Sequence, residues 1–134
     1  MRTYCASTLP FSTFPLTAFV GELSEGGVSA IELAQPHFSD VEAETIDALR
    51  EETGLNFKSM LSTVRVDAPD GLEALISILD TAQRLSVPIV SIASGGNEDA
   101  TAREIGTIIE HLKTVTAEAE TRNLTLVLYA HEGS

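Results

Sequence analysis

Val87-Pro88-Ile89-Val90-Ser91-Ile92-Ala93, followed by Ser94-Gly95-Gly96-Asn97, is the stretch on which the fold turns. The first seven residues are nearly all apolar, with no polar alternation. A run that short and that apolar predicts a strand covered on both faces, by helices on both sides or by helices on one side and a barrel core on the other. The next four residues predict a turn. Upstream, Leu72, Leu75, Ile76 and Leu79 recur at the spacing of one helical face, within a helix expected from about Asp70 to Leu85. Downstream, a long helix is expected from about Asp99 to Arg122, with Ile105, Ile108, Ile109, Leu112, Val115 and Ala119 as its stripe. Leu124 to Tyr129 then predicts a further strand.

The same alternation extends to the N-terminus. A strand is expected over Thr3 to Ser7, a loop over Thr8 to Pro15, and a helix from about Leu16 to Glu25 that Gly26-Gly27 stops. Val28 to Leu33 predicts the second strand. Ser39 or Asp40 is expected to cap a helix running to Thr53 and ended by Gly54. Its inner stripe is Val41, Thr45, Ile46 and Leu49, while Glu44, Asp47, Arg50 and Glu51 face water. Leu55 to Leu61 predicts the third strand. Strands alternating with helices predict βαβ units, hence an α/β fold with a parallel sheet, in one domain spanning residues 1–134. Five strands and four helices suit a (β/α) half-barrel, cut after its fifth strand. The runner-up is an open, flavodoxin-like sheet, which a strand order with strand one in the middle would select.

The totals exclude some partners. Among 134 residues, 20 are acidic and 8 basic, for a net charge of −12. Such a surface repels phosphate backbones and anionic lipid, so neither nucleic acid nor membrane is expected as a partner. The single cysteine, Cys5, allows no intrachain disulfide, and its place within a strand predicts inert core. Met1 to Phe19 carries one basic residue, Arg2, and is interrupted by prolines, unlike a signal peptide. No apolar run approaches the roughly 18 residues that span a bilayer. A soluble, cytoplasmic protein is the expectation.

Three stretches together resemble one family. Gly27-Val28-Ser29-Ala30-Ile31-Glu32-Leu33 resembles the G-x-x-x-I-E-L second strand of xylose isomerase-like barrels. Ala82-Gln83-Arg84-Leu85-Ser86-Val87-Pro88-Ile89-Val90-Ser91-Ile92 resembles their A-x-x-L-G-x-x-x-V-x-I passage into strand four, with Ser86 in place of glycine. Ala117-Glu118-Ala119-Glu120 through Leu124-Thr125-Leu126 resembles their A-E-x-x-G-V-x-L approach to strand five. The resemblance covers almost the whole chain and implies the N-terminal half of a sugar phosphate isomerase/epimerase barrel. It implies a small sugar or sugar phosphate as partner, and a divalent metal (Mn or Mg) at the mouth. Tyr129, however, stands where many of these epimerases place a metal-binding glutamate, and a neutral phenol is a poor ligand for Mn or Mg. The metal ligands of this chain therefore stay unknown.

Chemistry in parallel α/β folds sits past the C-terminal ends of strands. His131, Glu32 and His37 are the candidate catalytic residues. His131 offers a titratable nitrogen at the mouth. His37 could bind a substrate hydroxyl or a metal, or equally serve as a loop or capping residue. Glu32 could be a buried base, or a carboxylate paired with Arg65 or Lys58. Ser7, Gln35, Ser62, Ser94, Asn97 and Tyr129 are candidate substrate-binding residues, with Thr8, Arg65 and Glu132 nearby. Backbone N–H groups of Ser94 to Asn97 could hold an anion, although a tight turn explains them as well. His111 is expected on a helix surface.

Half a barrel leaves two strand edges unpaired. A homodimer through those edges is therefore expected, bringing Tyr129, His131 and Glu132 of one copy near Ser7 and Thr8 of the other. The ending at Gly133-Ser134 carries a second expectation, that the sequence is a piece of a longer enzyme. Two functions follow: an isomerase/epimerase-like module incomplete as one chain, or a non-catalytic half-barrel that binds small molecules without the metal.

Overall fold

β1 (Cys5–Ser7), β2 (Ala30–Ala34), β3 (Asn56–Arg65), β4 (Ile89–Ala93) and β5 (Thr125–Tyr129) form one sheet in the order β1-β2-β3-β4-β5. All four pairings are parallel. In this computed structural model, residues 4–129 are described. Strand one lies at an edge, which rules out the flavodoxin-like order. The strands follow the chain without a reversal, so right-handed crossovers place every helix on the same side. The sheet is not closed: among the described residues β1 pairs with β2 alone and β5 with β4 alone.

The crossovers are α1 (Val20–Glu25), α2 (Gln35–Phe38), α3 (Ala43–Thr53), α4 (Gly71–Leu85) and α5 (Ala102–Thr121). The core lies between these helices and one face of the sheet. Ile31, Leu33, Phe57, Met60, Val90 and Ile92 from the strands meet Ile46, Leu75, Leu79 and Val115 from the helices, all buried. Each such side chain contributes about 1.5–3 kcal/mol when removed from water. The alternate strand positions, Glu32, Ser59, Ser91 and Tyr129 among them, point to the opposite, open face.

Several local expectations needed correction. The first helix is split into a 3-10 turn, Leu16–Ala18, and α1. Neither Ser39 nor Asp40 caps the second helix. Pro36 starts the separate short helix α2, since proline lacks only an N–H that a first turn would leave unpaired. The Ser39 hydroxyl instead donates back to the Gln35 carbonyl at 2.8 Å. α3 begins after Glu42, with no side-chain cap. On α4 the core takes Ile78 rather than Ile76. Arg50 turns inward: its Nη2 donates to the carbonyls of Leu85 (2.8 Å) and Ser86 (3.1 Å), and its guanidinium lies 5.6 Å from the Phe57 ring centre. It thereby closes the C-terminus of α4, where orphan carbonyls need donors. α5 is capped as a capping box, Thr101 accepting from Glu104 N–H and the Glu104 carboxylate accepting from Thr101 N–H. Its apolar stripe is only partly used, since Val115 and Ala119 are buried while Ile105 and Ile109 are exposed. Cys5 is exposed rather than core, because the face it lies on is uncovered. No helix among the described residues is long and apolar enough to cross a membrane.

Candidate functional site

Period-two alternation puts Glu32 on the open face, between the buried Ile31 and Leu33. The register sets Ser7 beside it on β1 and Ser59 beside it on β3. Ser59 Oγ donates to Glu32 Oε2 at 3.1 Å. The partner of Glu32 is thus Ser59, not Arg65 or Lys58. A shift of one residue in β3, between the pairings of Ile31 and Glu32, is what brings Ser59 onto this row. The charge of Glu32 reaches both ends of the sheet. Partial burial first, and Glu32 second, push the Cys5 thiol up from its ordinary value, while Lys58 opposes them. Burial and then Glu32 also push the Tyr129 phenol up.

The strand ends form a second cluster. Gln35 Oε1 accepts from Thr63 N–H (2.7 Å), Thr63 Oγ1 (3.0 Å) and Ser62 Oγ (3.4 Å), tying the end of β2 to β3. Tyr129 donates its hydroxyl to the Ser62 carbonyl at 2.6 Å. Ser62, Gln35 and Tyr129, three of the candidate substrate-binding residues, therefore belong to one connected rim. Thr63 joins them; its place next to Ser62 was its only mark in the sequence.

His37 lies in a different arrangement. It is buried, with Nδ1 2.8 Å from Thr8 Oγ1 and Nε2 2.7 Å from the Phe14 carbonyl. A carbonyl only accepts, so Nε2 carries the proton and Nδ1 accepts the Thr8 hydroxyl proton. Thr8 Oγ1 in turn accepts from Ala34 N–H at 2.8 Å. The ring meets Phe19 edge-on at 5.5 Å. Both ring nitrogens are thus committed to binding the loop after β1 to the end of β2. Ser7 serves the same loop, its Oγ accepting from Leu9 N–H at 3.2 Å.

Past β4, Ser94 N–H donates to the Tyr129 carbonyl at 3.3 Å, and Asn97 Oδ1 accepts from Asp99 N–H at 2.9 Å. Asn97 lines a groove of about 590 Å³ with Asp67, Arg103 and Glu104, apart from the Tyr129 rim. Asp67 was not anticipated. It receives Arg65 through two bonds, Nε at 2.9 Å and Nη2 at 2.8 Å, and Gly96 N–H at 2.8 Å. The Arg65 hydrogen bonds hold its carboxyl below the usual range, with help from Gly96 against partial desolvation. The Arg-x-Asp spacing at a strand end was the available signal. His111 is half-buried on α5 and its Nδ1 lies 3.1 Å from the Val66 carbonyl. His131 and Glu132 lie outside the described residues.

A divalent metal does not fit the described residues. No three His, Cys, Asp or Glu side chains converge among them. Tyr129, at the position where the resemblance places a glutamate, spends its hydroxyl proton on Ser62 and is kept protonated by burial and by Glu32.

No protein-family model and no curated protein matches the chain. Solved structures do. IolI, solved with a bound zinc atom, is 12% identical with a TM-score of 0.78, over 96% of this chain and 51% of that one. A xylose isomerase domain containing protein from Salmonella typhimurium LT2 is 14% identical with a TM-score of 0.77, over 96% and 50%. A D-psicose 3-epimerase, solved in the presence of D-fructose, is 11% identical with a TM-score of 0.71, over 93% and 51%. The chain spans about half the length of these proteins. At such identities the likeness is one of fold: the chain has the architecture of the N-terminal half of a xylose isomerase-like TIM barrel, with its sheet left open.

Proposed function

We propose that the chain is an isomerase/epimerase-like barrel module for a small sugar or sugar phosphate, incomplete as one chain. The observation that carries this reading is the Glu32 carboxylate, set on the open face and held by Ser59 at 3.1 Å. A carboxylate so placed can take a proton from a carbon beside a carbonyl, leaving the electron pair on the enolate oxygen. His131 is the proposed acid that returns a proton, and Gln35, through its amide N–H groups, the proposed donor to a sugar hydroxyl; Ser62 is buried and positions Gln35 through its own hydroxyl. His37 acts by holding the loop after β1 in place. No step is routed through a metal.

The test is exchange of solvent deuterium into small ketoses and their phosphates, followed by proton NMR. Wild type is expected to exchange the C–H beside the carbonyl, and Glu32→Gln to lose at least tenfold in rate while keeping its circular dichroism. Absence of exchange in wild type, or full exchange in Glu32→Gln, overturns the reading.

One observation favours a second reading. The Tyr129–Ser62 bond locks the position of the family's glutamate into a structural role. A non-catalytic half-barrel that binds a small polyol would keep the rim and show binding by calorimetry without exchange.

A further inference from the structure

Phe57 and Met60 of β3 are both fully buried in the core between sheet and helices. Residues three apart cannot share one face of a regular strand, whose side chains alternate with a period of two. The register shift resolves the conflict. Ile31 pairs with Phe57, but the next residue, Glu32, pairs with Ser59, so β3 carries one extra residue, Lys58, at this step. Such bulges are uncommon between parallel strands and frequent beside active sites, where they re-aim a side chain.

The extra residue decides what Glu32 meets. In an unbroken register Lys58 would be its cross-strand partner, and an ammonium there would tie up the carboxylate as an ion pair. With the shift, Lys58 is exposed, and the ion pairs among the described residues belong to Arg50, Arg65, Lys113 and Arg122 instead. Ser59 takes the place beside Glu32. It is buried, and its Oγ donates to Glu32 Oε2 at 3.1 Å. Ser7 pairs with Glu32 from the other side, but its Oγ accepts from Leu9 N–H. Glu32 Oε1 is left without a protein hydrogen bond among the described residues. The bulge and the bond lie between β2 and β3, with β1 and β4 on either side, so they do not depend on what adjoins the edges of the sheet.

We infer that Ser59, set by the bulge in β3, is a positioning residue for Glu32: it fixes Oε2 and leaves Oε1 as the oxygen that takes the substrate proton. The inference rests on the proposed role of Glu32 as the base. A carboxylate held at one oxygen no longer swings about its last side-chain bond, and proton transfer needs that alignment. A hydroxyl suits the task because it donates one hydrogen bond without bringing a charge, so the free oxygen keeps its capacity to accept.

Solvent-deuterium exchange into D-fructose and dihydroxyacetone phosphate, followed by proton NMR over a range of ketose concentrations, tests it. Ser59→Ala is expected to lower kcat for exchange about fivefold while KM stays within about twofold, with circular dichroism unchanged. Ser59→Thr keeps the hydroxyl and is expected to recover most of that loss. In a Glu32→Gln background, Ser59→Ala should move the residual rate by less than about twofold, since the serine acts through the carboxylate. Lys58→Ala, in the same bulge, should leave both constants within about twofold of wild type. Full exchange in Ser59→Ala, no recovery in Ser59→Thr, a further loss in the Glu32→Gln background, or a larger loss in Lys58→Ala overturns the inference and leaves the role of Glu32 standing. Absence of exchange in wild type overturns both, so the two failures are told apart by the wild-type rate.

Discussion

The Tyr129 hydroxyl reaches past β4 to donate to the Ser62 carbonyl on β3, at 2.6 Å. The last strand is therefore pinned at its C-terminal end to a strand that is not its neighbour. Tyr129→Phe removes the donor and leaves a partly buried carbonyl with one partner fewer. The expected loss is about 1 kcal/mol in urea unfolding, with faster amide exchange in β5 than elsewhere in the sheet.

The same phenol gives a pH dependence. Its folded pKa lies above its ordinary value of 10.0. The folded state thus holds the proton more tightly, and the stabilisation is complete below pH 10 and lost as pH rises through the folded value. Wild type is expected to lose stability above pH 10 more steeply than Tyr129→Phe in parallel thermal melts.

His37 and Thr8 act as one clamp. Thr8→Val strips a donor from His37 Nδ1 and an acceptor from Ala34 N–H, both buried. Each of Thr8→Val and His37→Ala is expected to cost about 1–3 kcal/mol, and the double variant less than the sum, since both break the same network. Proteolysis between Leu9 and Phe14 should accelerate in all three variants.

Gly95 and Gly96 both take left-handed backbones, with φ of 73° and 75°. They are not equivalent. A Cβ on Gly95 would sit 2.5 Å from Asp67 Oδ1 and 3.0 Å from its backbone nitrogen, while one on Gly96 would meet only Ile108 Cδ1, at 3.3 Å. Gly95→Ala is expected to destabilise more than Gly96→Ala, by about 1 kcal/mol or more. The depressed Asp67 carboxyl adds stability above its ordinary 3.8 that vanishes as pH falls through the folded value. Asp67→Asn should flatten the acid side of the stability curve.

The alternation of apolar runs with amphipathic stretches made the five strands, their order of appearance and the four principal helices legible. Val87 to Ala93 was legible as a strand, Ile89–Ala93 in the structure, but helices cover only one of its faces and the other lies on the open side of the sheet. The inner stripe of α5 misled for a physical reason. Periodicity marks which residues favour leaving water, yet Ile105 and Ile109 stay exposed among the described residues. Arg50 was placed in water because its charge outweighs its stem in any sequence pattern, yet the end of α4 supplied carbonyls for it. At the site, Glu32 was found from its strand position. Ser59 was not, because its row depends on a register shift that alternation alone cannot place. Asp67 and Thr63 act through backbone and side-chain pairs that only assemble once the loops are folded.

The strand order also bears on how the chain comes to be folded. Each strand pairs only with the one before it and the one after it, so no segment must wait for a distant partner to be inserted between earlier ones. Loop closures stay about as short as one helix and its turns, which keeps contact order low for a parallel sheet. The N-terminal strands can assemble while later ones are still leaving the ribosome, each new β/α unit docking on a finished edge. Among the described residues the sheet does not close, so the edge presented by the newest strand stays adhesive at every stage, and a chaperone would be expected to hold it throughout.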